Sequence, residues 1–193
     1  MEHERCYSVL VVSSSEKFNQ NMQPLLPEKR FVSIRYVNSV AAARREANEY
    51  SYDICIINAP LPDEFGTRLA LDICDKSGTA VMLLVKAEHY ADIDARVAPY
   101  GVFVLSKPTS AQAISQTLTL LCATRERLRR MEQKTTSFED QMEGIRLINH
   151  AKWLLIENRG MTENEAHKYI EKQAMDNCIS KRAIAERIIQ EYK

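Results

Sequence analysis

The feature that most limits what this chain can fold into is an alternation. Across the first half, short apolar runs rich in β-branched residues take turns with stretches of helical periodicity. "YSVLVV" runs into "SSS", after which "EKFNQNMQPLL" places Phe18, Met22 and Leu25 or Leu26 at helical spacing. "FVSIRYV" reads as a strand, "SVAAARREANEY" as an amphipathic helix opened by Ser39, and "YDICIIN" as a buried strand closed by "APLPDEFG". "TRLALDIC" is helical, "TAVMLLV" is a strand, "YADIDARVAPY" is a helix ended by Pro99 and Gly101, and "GVFVLSKP" is a strand stopped by Pro108. Parallel neighbours need crossovers, and right-handed helical ones are favoured. The pattern therefore predicts an α/β unit with a five-stranded parallel sheet covered on both faces. Sites in such sheets form at the carboxyl ends of the strands.

At those ends, the "PLPDEFG" turn after the third strand and the "SKP" closing the fifth resemble the receiver domain of bacterial response regulators, over roughly residues 5–122. The resemblance implies a flavodoxin-like fold. It also implies an acidic pair for Mg²⁺ after the first strand, a phosphorylated Asp after the third, Thr or Ser after the fourth and Lys after the fifth. Here those places hold Ser13 and Ser14, Asn58, Val85 and Lys107, so only the lysine survives. Hydroxyls and an amide bring none of the negative charge that compensates dehydration of Mg²⁺. An amide is also a poor nucleophile toward a phosphoryl donor, and Val85 has no hydroxyl for a phosphate. The expectation is a pseudo-receiver with no metal, no cofactor and no Asp phosphorylation. Asp63 reads as a turn residue. Lys107 is expected to hydrogen-bond Asn58 and the backbone; the other reading is an anion or ligand site to which the Ser13–Ser15 hydroxyls contribute.

The second half is helical. From "SAQAISQ" to "ENRG" there is no proline and Gly144 alone interrupts, which predicts one long helix loosened near "TTSF". Leu118, Leu121, Leu128, Met131, Phe138, Met142 and Ile145 recur at threes, fours and sevens, a seam for a parallel coiled coil with a second copy of the chain. "RERLRR" reads as a solvated face beside that seam in preference to a nucleic-acid patch.

Beyond the seam the chain divides into three helices. Gly160 ends the first, Thr162 and Glu165 form a capping box for the second, and Ser180 caps the third. Ile148, Ala151 and Leu155, then Ala166, Tyr169, Ile170 and Ala174, then Ile184 and Ile188 face inward, making a small all-α bundle. "INHAKWLLIENRGMTENEAHKYIEKQAMD" resembles the ANTAR domain, the RNA-binding module of transcription antiterminators, over about residues 138–190; Ala151, Lys152, Leu155, Gly160, Thr162, Glu165, Ala166, Ala174 and Met175 fit its pattern. The resemblance implies a dimer that binds paired RNA stem-loops in a nascent transcript, so that polymerase continues past an overlapping terminator. Arg146, Lys152, Trp153, Lys172, Lys181 and Arg182 are the candidate RNA-contacting residues. A helical wheel puts Trp153 on the polar side with Arg146 and His150, where the family often has Gly. Lone His150 and His167 read as surface residues.

Composition narrows the remainder. The formal charge balances to zero, so no overall basic excess advertises nucleic acid and any such site is a local patch. Five widely separated cysteines lack a CxxC pair and fit a reducing cytoplasm; no long apolar run suggests a leader or a membrane span. No nucleophile and base, metal set or glycine-rich phosphate loop points to an enzyme. The expected organisation is a receiver-like domain at 1–109, its terminal helix continuing as a coiled-coil linker at 110–137, and a three-helix RNA-binding domain at 138–193. A regulatory protein or ligand would act on the first domain. The competing classes are a DNA-binding transcription regulator and a protein-binding adaptor.

Overall fold

The computed structural model describes residues 6–192. The chain forms two compact units, with the division after Arg130. In the first, five parallel strands stand in the order β2-β1-β3-β4-β5: β1 (Tyr7–Val12), β2 (Phe31–Val37), β3 (Ile54–Asn58), β4 (Ala80–Lys86) and β5 (Phe103–Lys107). The crossovers are α1 (Glu16–Met22), α2 (Val40–Glu49), α3 (Thr67–Ser77) and α4 (Ala87–Val97). Serine caps open two of them. Ser15 Oγ accepts from the Phe18 N–H at 3.3 Å, and Ser39 Oγ from the Ala42 N–H at 3.2 Å.

The central strands are apolar on both faces, and their period of two sorts side chains into two cores. Cys55 and Ile57 of β3 join Val81, Leu83 and Val85 of β4 beneath α2, α3 and α4, where Ala43, Leu69 and Ile93 meet them. Ile54, Ile56, Met82 and Leu84 face the other way, against Met22 of α1 and the start of the long helix α5 (Ala111–Arg159). Ile114, Leu118, Leu121 and Cys122 of α5 lie in that second core.

This position corrects the expected coiled-coil seam. Leu118 is 3% exposed and Leu121 fully buried within their own unit, so neither is available to a second chain. Core-facing and partner-facing residues share the same helical spacing, which is why the stripe runs continuously through both in the sequence. Leu128 is half-buried, while Met131, Phe138, Met142 and Ile145 stay more than half exposed. The helix is unbroken through residues 135–138, where loosening is expected from sequence.

In the second unit the last part of α5 packs with α6 (Glu163–Asp176) and α7 (Lys181–Glu191). Ala151 and Leu155, Ala166, Ile170 and Ala174, and Ile184, Ala185 and Ile188 form the core, with Ile148 and Tyr169 packed against it. Alanines at the contacts let helices approach closely, while Leu155 contributes about 2 kcal/mol through burial of its side chain. Gly160 ends α5 at φ 65°, a left-handed conformation that costs glycine nothing. Thr162 and Glu165 complete the capping box, and Ser180 Oγ accepts from the Ala183 N–H. Arg159 ties the three helices together: its guanidinium donates to the Tyr192 and Tyr169 hydroxyls at 2.5 and 3.1 Å and pairs with Glu191 at 2.9 Å. Among the described residues, no helix is long and apolar enough to cross a membrane.

Candidate functional site

The strand ends bring three of the five expected residues of the first unit into one hydrogen-bonded ring. Asn58 closes β3, Ser13 follows β1 and Lys107 closes β5. The Asn58 amide nitrogen donates to Ser13 Oγ at 3.0 Å, and Lys107 Nζ donates to Asn58 Oδ1 at 2.8 Å and to the Ala59 carbonyl oxygen. Ser13 Oγ also accepts from the Ser15 N–H at 3.2 Å. Ser13 and Asn58 are buried, so satisfying these groups keeps polar atoms from being stranded out of water. Ser14 points to solvent and Val85 is fully buried in the apolar core; neither joins the ring.

A receiver fold implies Mg²⁺ at this place, and the donor set does not fit it. The ring offers one hydroxyl and one amide oxygen, with no carboxylate, and the amide oxygen is occupied by a cation. Among the described residues, no three His, Cys, Asp or Glu side chains converge as a metal site. The Lys107 ammonium lies below the usual lysine pKa, first because burial strips its water and second because Lys86 repels it. Its contacts are neutral dipoles, which support the charge less than a carboxylate would. Asp63 is engaged elsewhere: its two oxygens accept from the Val40 and Ala41 N–H groups at 2.9 Å each, capping α2 from the β3–α3 turn.

At the opposite, amino-terminal ends of the central strands lies a cluster that the sequence reading missed. Asp53 is buried immediately before β3. Its Oδ2 accepts from the Ser8 N–H at 3.0 Å, while Oδ1 accepts from Arg125 Nε at 3.0 Å and Arg129 Nη2 at 2.6 Å. Arg129 also sits 5.7 Å over the Tyr7 ring. Two arginines of "RERLRR" are thus not a solvated face; they fasten α5 to the sheet. Burial opposes the Asp53 charge, but the Ser8 N–H and then the two guanidiniums outweigh it and hold the carboxyl below its ordinary range. The available signal was an i, i+4 arginine pair and, far from it, an acid preceding a strand, with no marker that joins them across 72 residues.

In the second unit the six expected RNA-contacting residues divide. Lys152 pairs with Glu163 at 3.1 Å, Lys181 with Glu171, and Arg182 with Glu186 at 3.1 Å and Glu143 at 3.3 Å. Arg146, Trp153 and Lys172 are exposed, Trp153 at 56%. Arg146 and Trp153 are seven residues apart and share a helix face, with exposed His150 between them. The Tyr169 hydroxyl is taken by Arg159. His167 is exposed and lies 3.3 Å from Glu171.

Known proteins share both halves. The first unit has a receiver fold: it superimposes on the signal receiver domain of an HD domain-containing protein from Pseudomonas fluorescens with a TM-score of 0.57, 22% identity, and coverage of 67% of this chain and 95% of that one. A response regulator receiver domain protein from Clostridium thermocellum gives a TM-score of 0.55 and 21% identity, over 64% of this chain and 98% of that one. The ANTAR domain family matches residues 136–189. The chain therefore has a receiver fold followed by a segment that matches the ANTAR domain. Along nearly its full length it is similar to the transcriptional regulatory protein PdtaR of Mycobacterium tuberculosis, at 23% identity over 183 residues, 94% of this chain and 89% of that protein. The aliphatic amidase regulator of Pseudomonas aeruginosa is 29% identical over 97 residues, half of each chain. These relatives are regulators by name.

Proposed function

We propose that the chain is a transcription antiterminator, binding RNA stem-loops in nascent transcripts through its C-terminal helices under the control of a front domain that has lost phosphoryl chemistry. The carrying observation is the ANTAR match over 136–189, which falls on the three-helix bundle. Exposed Arg146, Trp153 and Lys172 supply a guanidinium, an indole face and an ammonium for unpaired bases and phosphates. Lys152, Lys181 and Arg182 would exchange their carboxylate partners for phosphates, which makes the affinity modest and salt-sensitive. The similarity to named regulators supports a regulatory role over catalysis.

Residues 1–109 serve as the input domain, 110–137 as terminal helix and linker, and 138–193 as the RNA-binding part. The exposed stripe of Met131, Phe138, Met142 and Ile145, with half-buried Leu128 at its head, supports a parallel homodimer. Two RNA modules in one dimer would raise affinity through avidity. An amide at residue 58, its oxygen accepting from Lys107, supports a receiver that is not phosphorylated at this position and takes its input from a bound protein or ligand.

The test is binding of the purified chain to tandem hairpins from its own upstream leader, against duplex DNA, across a salt series. Selective hairpin binding is the expected result. Preference for duplex DNA would make the chain a DNA-binding regulator, and failure to bind either would make it a protein-binding adaptor.

A further inference from the structure

Beside Lys107, on the α1 and α5 side of the sheet, lies a cavity of about 520 Å³. Phe18, Met22, Leu25, Leu84 and Ile114 give it largely apolar walls, and the hydroxyl and amide of Thr109 and Asn21 add neutral hydrogen-bonding groups. Among the described residues, Lys107 is the one charged side chain lining it, and no carboxylate faces it from α1, β4, β5 or α5. The volume falls within the range of small-molecule sites, about 300–1,000 Å³, and an apolar chamber with few polar groups is the usual composition of such sites.

The state of Lys107 selects the ligand class. Its ammonium has three N–H donors, and Asn58 Oδ1 and the Ala59 carbonyl oxygen take two, which leaves one. Both partners are neutral, so the positive charge is not cancelled within the ring. One remaining donor on one cation suits a single anionic oxygen; a phosphate dianion would demand more donors and more charge. From this geometry we infer that the cavity is a binding site for a small amphipathic carboxylic acid, its carboxylate on Lys107 and its apolar tail between α1 and α5. An anion there would also offset the burial and Lys86 repulsion that disfavour the ammonium. Every residue lining it belongs to the first unit, and binding there does not depend on RNA recognition.

The experiment uses the full chain, with decanoate as probe and decanol as its uncharged counterpart, both below their aggregation limits. Calorimetry gives affinity and stoichiometry, and methyl NMR of Ile114 and Met22 reports position. The expected result is one decanoate per chain, shifts at both methyl groups, and decanoate bound at least about tenfold more tightly than decanol, as a charge-assisted hydrogen bond requires. Lys107→Met should remove that preference while leaving decanol affinity within about twofold, because the methionine keeps the apolar stem. Ala111→Trp, at the cavity wall, should abolish binding of both. If Lys107→Met fails to fold, the decanoate to decanol ratio on the native chain and the Ala111→Trp result decide. No binding, equal affinity for the two probes, saturation beyond one per chain, or binding undiminished in Ala111→Trp would overturn the assignment.

Discussion

Replacing Asp53 with Asn is the most informative perturbation of the first unit, because it keeps the shape and removes the charge. An asparagine side chain has one acceptor oxygen, whereas Asp53 uses both oxygens to accept, Oδ2 from Ser8 and Oδ1 from Arg125 and Arg129. Either orientation of the amide sets an NH₂ group against a donor: the Ser8 N–H or the two guanidiniums. Breaking a buried ion pair costs about 3–5 kcal/mol. Here the arginine side chains retain 13% and 30% exposure and recover some hydration, which lowers the expectation to about 2–3 kcal/mol. At about 4 °C per kcal/mol for a unit of this size, the first unit of Asp53→Asn should melt about 10 °C lower. Urea titration followed by circular dichroism measures the difference directly. The sign with pH follows from the depressed carboxyl. Its contribution is complete above the unfolded pKa of about 4 and is lost as pH falls through the lower folded value, so native and variant chains should converge in acid below that folded value. A loss under about 1 kcal/mol at pH 7, or a gap that does not narrow in acid, would refute the argument that this carboxylate fastens α5 to the sheet.

The remaining predictions concern chemistry, RNA and assembly. Treatment with a small-molecule phosphodonor should leave the intact mass unchanged, since Asn58 is hydrogen-bonded through both its amide atoms and is a poor nucleophile; a labile adduct on the native chain would contradict this. Trp153→Ala should weaken hairpin binding by about 1–3 kcal/mol without altering the sedimentation coefficient of the chain, and unchanged RNA affinity would remove base stacking from its role. Phe138→Asp should shift the chain from dimer to monomer in analytical ultracentrifugation while leaving the helical circular dichroism of the second unit nearly intact, because Phe138 is 65% exposed and lies outside the unit's apolar core. A dimer that persists at low micromolar concentration would exclude this stripe as the interface.

The parts of the fold that were legible in sequence are those set by local periodicity and caps. Both faces of β3 and β4 are buried, and that is what an uninterrupted run such as "ICII" encodes. Ser39, Thr162 and Ser180 cap helices where the residue type alone points to it. The bonds from Lys107 to Asn58 and to the backbone were legible too, since the carboxyl ends of parallel strands lie on one side of the sheet; the Asn58 bond to Ser13 was not. What resisted reading was long-range. Asp53 with Arg125 and Arg129, Asp63 at the start of α2, and Arg159 between two tyrosines depend on side chains that meet only after the elements have packed. Leu118 and Leu121 were ambiguous for a different reason: an apolar stripe specifies that something covers it and says nothing of whether the cover is the same chain or another.

The occupied ring at the strand ends also bears on what it would take for this domain to carry phosphoryl chemistry at residue 58. An acid at residue 58 would meet Lys107 alone, with serines after β1 and a core valine in β4 still in place. Carboxylates after β1 and a hydroxyl at the end of β4 would have to arrive as well before the acid had a metal or a phosphate to work with. No single substitution supplies that set, so a change at one of these positions alone alters only what the pocket recognises.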